Sequence, residues 1–150
     1  MKTRWMYVLS AALLLAGCEK ARLDQQVKEL CAKDGGVKVY EKVKLTADKF
    51  NQWGQINFFK PTQGENALGT GYIYKVDKTF IKQGKPHELA MWRDHIQIIR
   101  RSDGKLLGES VSYSRRGGDL PGPWHPTSLT CPAIDRDGLE SSIFISGENK

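Results

Sequence analysis

Residues 88–114, ELAMWRDHIQIIRRSDGKLLGESVSYS, decide the fold. Trp92, Ile96 and Ile98 share one parity, so a strand here places them on one face. Leu107, Val111 and Tyr113 alternate in turn after Ser102-Asp103-Gly104-Lys105. Asp-Gly tolerates the positive φ of a tight turn, and the stretch therefore predicts a β-hairpin.

The pattern extends on both sides. In residues 71–82, Tyr72, Tyr74, Val76 and Phe80 share a face, while Lys75, Asp77 and Thr79 occupy the other. Residues 83–86, Gln-Gly-Lys-Pro, form a turn into the hairpin. Residues 37–45 predict another half-buried antiparallel strand. Val37, Val39, Val43 and Leu45 point inward there, Glu41 is an exception, and Lys38, Tyr40, Lys42 and Lys44 make a basic outer face. Thr46 is expected to cap a short helical turn reaching Trp53, with Ala47, Phe50 and Trp53 spaced to pack. Residues 55–59 are expected as a short strand and 62–69 as a loop. Downstream, residues 128–132 return the chain toward the first helix, 135–138 make a turn, and 141–146 make a last short strand.

Before these strands, Leu23, Val27, Leu30 and Cys31 fall on one stripe of a helix spanning 19–33. Asp34-Gly35-Gly36 ends it. The fold class is therefore α+β: an N-terminal helix packed on a mostly antiparallel sheet of four to six strands, tied by one disulfide.

The chain has 150 residues, a formal charge of +6 and 39% hydrophobic residues. This composition predicts one domain with a modest core and excludes a disordered chain. Trp5 to Ala16 is the one long apolar run. Twelve residues make about 18 Å of helix against a bilayer core of about 30 Å, so a bundle of membrane spans is excluded.

That run has another meaning. Lys2 and Arg4 precede it as a positive n-region, and small residues follow, the order of a secretory signal. Its end, Leu15-Ala16-Gly17-Cys18, resembles the lipobox of bacterial lipoproteins. The resemblance implies cleavage before Cys18, diacylation of its thiol and, often, acylation of the new amine. Residues 1–17 would be the signal peptide, and 18–150 a single domain facing the periplasm. Glu19 in place of Asp favours the outer membrane, so the expected location is the periplasmic face of that membrane. Lys2 and Arg4 leave with the signal, and the charge falls from +6 to +4. Cys31 with residues 34–41, and residues 117–126, resemble segments of small proteobacterial envelope lipoproteins. That resemblance supports lipidation and transfers no catalytic or binding residue.

Cys31 and Cys131 remain. An even pair in an oxidising compartment predicts a disulfide. Metal binding is the rival reading, weakened by the lack of Cys-x-x-Cys and of a His at ligand spacing.

Chemistry is sparse. His87, His95 and His125 include no pair four apart, and there is no Gly-x-Ser-x-Gly elbow or P-loop. Asp94 and His95 would point to opposite faces of a strand. Asp135, Asp137 and Glu140 lack the spacing of a calcium loop. No catalytic residue, metal or cofactor is expected. The candidate binding surface is the proline-rich stretch 115–126, carrying Arg115, Arg116, Asp119, Trp124 and His125. Arg and Trp are enriched in hot spots, and proline pre-orders a loop. The rival reading makes Trp124 a lid on the core and the prolines a route to Cys131.

The expected role is a non-enzymatic, lipid-anchored envelope protein. Its partners would be the membrane through the acyl chains, and an envelope protein, anionic glycan or lipid headgroup, with nucleic acid unlikely in that compartment. The alternative is an interference module that excludes phage or inhibits a wall-degrading enzyme. A cell-wall or lipid hydrolase ranks below both.

Overall fold

Alternation in the sequence becomes a meander in space. A computed structural model describes residues 2–119, 125–133 and 138–147, with backbone alone over 2–17. Helix α1 (Lys2–Asp34) comes first. Strands β1 (Gly36–Val39) and β2 (Val43–Leu45) follow, then β3 (Tyr72–Lys82), β4 (Ala90–Arg100), β5 (Leu106–Arg116) and β6 (Ser128–Cys131). A short helix α2 (Leu139–Ile143) and β7 (Phe144–Ser146) end the described chain. The main sheet runs β1-β5-β4-β3, with β6 also on β5, and every pairing in it is antiparallel. β2 and β7 form a separate parallel pair. The fold is the expected α+β class, and Cys31 and Cys131 form the disulfide with Cα atoms 5.8 Å apart.

Two cores lie on opposite faces. Ile96 pairs with Ser110 and His95 with Val111 in the β4–β5 register. Residues directly opposite share a face, so the apolar sets of the two strands point opposite ways. Val111, Tyr113 and Met91 meet Leu23, Val27 and Cys31 of α1 on one face. Ile96 and Ile98 meet Tyr72, Tyr74, Ile143 and Phe144 on the other. A bulge between Ile98 and Ile99 lets Leu107 join this second cluster. α1 covers one end of the sheet; α2, β7 and the loop over residues 46–69 cover the other.

Three expected strands need correction. Residues 37–45 are two strands in two sheets. The chain bends at Tyr40–Glu41, whose two amides both donate to the Leu107 carbonyl, and Glu41 turns out to ion pairs with Arg100 and Lys105. Residues 55–59 contribute one bridge, Phe50 to Ile56. The strand expected over 141–146 is shorter: Leu139 and Ile143 are both buried at i, i+4, so Ser141–Ile143 belong to α2 and the strand starts at Phe144. The turn expected at 135–138 falls mostly outside the described residues.

The helix exit needs glycine. Gly36 has φ of 120°, which swings the chain from α1 into β1.

Candidate functional site

The end of β5 is stapled to the start of α1. Arg115 lies on the helix face and is only 3% exposed. Its Nε donates to Asp24 Oδ1 at 2.6 Å, and its Nη1 donates to the Thr127 carbonyl at 3.0 Å and the Gly117 carbonyl at 3.2 Å. Asp119 accepts from Lys20 Nζ at 2.6 Å, the Thr127 amide at 2.6 Å and the Thr127 hydroxyl at 2.7 Å. Gly117 closes the arrangement. Its φ is 80°, and a Cβ there would sit 2.3 Å from the Glu88 carbonyl oxygen.

Among the expected binding residues, Arg115 and Asp119 thus converge on Thr127. Arg115 faces inward and holds the mouth of the loop. Arg116 is exposed on the opposite face, 6.0 Å from the Trp92 ring. His125 is exposed. Trp124 lies outside the described residues, as does the rest of 120–124. Cys18 is exposed at the start of the described side chains, and Glu19 pairs with Lys82. Lys20, Asp24 and Thr127 were not expected, since nothing local in the sequence links residues about a hundred positions apart.

Acid should loosen this staple. The Lys20 ammonium, with the two Thr127 donors, holds the Asp119 carboxyl well below the usual carboxylate range. Lys82 lowers Glu19, Lys105 and Arg100 lower Glu41, and Tyr40 and His95 lower Glu109. A carboxyl depressed in the folded state stabilises fully above its unfolded value of about 4 and loses that contribution as pH falls toward the folded value. Thermal scans are expected to give a flat Tm from neutral pH down to about 5 and a fall below about 4. D119N should soften that fall. An unchanged slope in D119N would remove Asp119 from the acid response.

A second polar group sits farther along the helix face. Glu109 accepts Tyr40 Oη at 2.6 Å and lies 2.8 Å from His95 Nε2. Asp94, as expected, points the other way, accepting the Trp92 indole N–H at 2.8 Å. Ser110, Ser112 and Ser114 have the parity of Asp94, so β5 offers His95 no serine hydroxyl. Among the described residues, no group of three His, Cys, Asp or Glu side chains could hold a metal. No helix is long and apolar enough to cross a membrane in the residues searched.

Among the described residues, the most exposed large hydrophobic side chain is one expected to pack. Trp53 is 75% exposed, while Phe50 joins the second core. The turn beneath it is firmly built. Asn51 Oδ1 accepts from the Trp53 amide at 2.9 Å and the Gln55 amide at 3.0 Å. The Asn51 amide donates to the Gln55 carbonyl at 2.7 Å, and Gly54 takes φ of 78°. The signal in the sequence was the polar company of Trp53, Asn51-Gln52 before it and Gly54-Gln55 after it.

No family model matches the chain, and no curated protein or solved structure does either.

Proposed function

We propose that this protein is a lipid-anchored, non-enzymatic binding protein of the bacterial envelope, acylated at Cys18, that captures an envelope partner through the Trp53 turn. The anchoring half rests on the lipobox and on the position of Cys18. The next residues, Glu19, Lys20 and Asp24, pair with Lys82, Asp119 and Arg115. A linker is therefore absent, and the domain stands directly on its anchor. Trp53 carries the binding half. Phe50 and Ile56, which flank its turn, pack with Tyr72 and Ile98 at the far end of the sheet. From Tyr72 to Lys82, β3 spans about 33 Å at about 3.3 Å per residue, so the indole is held well away from the lipid. A Trp presented on an ordered turn costs little backbone entropy on binding and is a frequent hot spot. Lys42, Lys44 and Lys60 are also exposed around this end, with Lys49 paired to Asp48, and suit an anionic partner, glycan or protein.

The test is photo-cross-linking in intact cells followed by affinity measurement with the captured partner. W53A is expected to weaken binding by about 2 kcal/mol or more, roughly thirty-fold in Kd. Its stability should stay within about 0.5 kcal/mol of the parent, because the side chain touches little. Unchanged capture by W53A would end this reading of the turn. The intact mass of membrane-extracted protein, with and without reduction, tests the acyl chains and the cleavage before Cys18.

A further inference from the structure

The end of the sheet beside Cys18 carries apolar side chains where a solvated edge would be polar. β3 is an edge strand, and its last turns expose Phe80 to 47% and Ile81 to 43%. A bulge lies between Phe80 and Lys82. Phe80 opposes Trp92 and Lys82 opposes Met91, so Ile81 is the unpaired extra residue. Without the bulge, Ile81 would take the place opposite Met91, on the helix face. With it, Lys82 takes that place and reaches Glu19, while Ile81 is turned out beyond the edge. One irregularity therefore both ties β3 to the residue after the anchor and frees an aliphatic side chain at the same height.

The surroundings suit a lipid surface. Lys85 and Arg116 are exposed at this end, with Arg22 on α1, and none of the three is in an ion pair among the described residues. Glu19 and Asp119 are already neutralised by Lys82 and Lys20. Asp24 is paired with Arg115, and among the described residues at this end Glu88 is the carboxylate outside an ion pair; it accepts the Lys85 amide at 2.9 Å, which fixes the β3–β4 turn. Phe80, Gln83, Gly84, Lys85 and Glu88 line an open recess of about 380 Å³ on this end.

We infer that this end of the sheet is a second membrane contact: Ile81 and Phe80 enter the headgroup region of the bilayer holding the anchor, with Lys85, Arg116 and Arg22 facing anionic headgroups. Interfacial side chains of this kind sit about 5–10 Å into the headgroup and acyl boundary, and each nearby cation adds attraction to an anionic leaflet. Two points of attachment fix the orientation of the domain, and with it the direction in which Trp53 faces. The inference rests on the lipid anchor proposed above.

The experiment uses full-length protein expressed in bacteria, extracted from membranes and reconstituted into vesicles of phosphatidylethanolamine and phosphatidylglycerol. Ile81→Cys and Trp53→Cys each supply one new thiol for a polarity-sensitive fluorophore, because Cys18 would be acylated and Cys31 and Cys131 are joined. The label at 81 is expected to emit at shorter wavelength, to be quenched by lipid-borne nitroxides, and to be several-fold less accessible to iodide than the label at 53. Adding Lys85→Glu and Arg116→Glu should raise the iodide accessibility at 81 and leave that at 53 alone. Equal accessibility at 81 and 53 in protein whose mass carries acyl chains would overturn the membrane contact and leave the anchor standing. A mass without acyl chains would overturn the anchor, and the contact with it.

Discussion

The C31S/C131S double variant is expected to lose about 4 kcal/mol of stability. The disulfide closes a loop with a sequence separation of 100. In the chain-entropy account, a loop of about 100 residues removes up to about 4.7 kcal/mol of unfolded-state freedom. Native geometry should survive, because the Cα separation of 5.8 Å lies within the ordinary range, and two serines fit where two thiols met. α1 also keeps Leu23 and Val27 in the core, with Asp24 on Arg115. The loss should therefore appear as easier global unfolding rather than an undocked helix. A domain of this size holds about 5–15 kcal/mol in all, so the variant would be marginal at physiological temperature. At roughly 3 °C per kcal/mol, Tm should fall by roughly 12 °C. Urea titration of the variant, beside the parent with and without reductant, measures this. A loss below about 1 kcal/mol would mean that the unfolded chain already keeps its two ends together.

The disulfide was legible because the cysteine count and the oxidising compartment expected from the N-terminus both bear on it. The strands β3 to β5 were legible because alternation is local and the Asp103-Gly104 turn fixes where the chain reverses. What alternation could not supply was register. The parity of Ile96 and Ile98 and the parity of Val111 and Tyr113 are each plain. Only the pairing of Ile96 with Ser110 shows that they face opposite ways and build two cores. The break at Tyr40–Glu41 left a trace, the single charge on an apolar parity, though its cause lies in Leu107, Arg100 and Lys105, far along the chain. α2 left a fainter one, Leu139 and Ile143 at helical spacing inside a stretch too short to favour a helix. The site was least legible. Arg115 and Asp119 have recognition-type side chains, but their partners Asp24 and Lys20 are about ninety to a hundred residues away, and composition cannot tell a captured arginine from a presented one.

That distinction yields the second large effect. R115M should destabilise the protein by about 3 kcal/mol. Removing one member of a buried pair costs about 3–5 kcal/mol. The lower figure applies because Asp24 is 29% exposed and recovers water. The remaining loss comes mainly from the Gly117 carbonyl, deprived of the Arg115 donor, while the Thr127 carbonyl keeps the Gly117 amide at 3.0 Å. D24N should cost less, since an amide oxygen still accepts from Nε and Arg115 keeps both carbonyls. The D24L/R115M double variant should recover part of the loss, because an apolar pair removes the stranded carboxylate. The coupling between the two positions, read from urea unfolding of the four proteins, should be favourable and well above the scatter of about 0.5 kcal/mol seen for independent sites. The same variants decide what the loop is for. If Arg115 only holds the loop mouth against α1, loss of partner capture should track loss of stability and return in D24L/R115M. If R115M keeps its stability and loses capture, the loop that the buried Arg115 positions meets the partner, and the binding surface lies there rather than at Trp53.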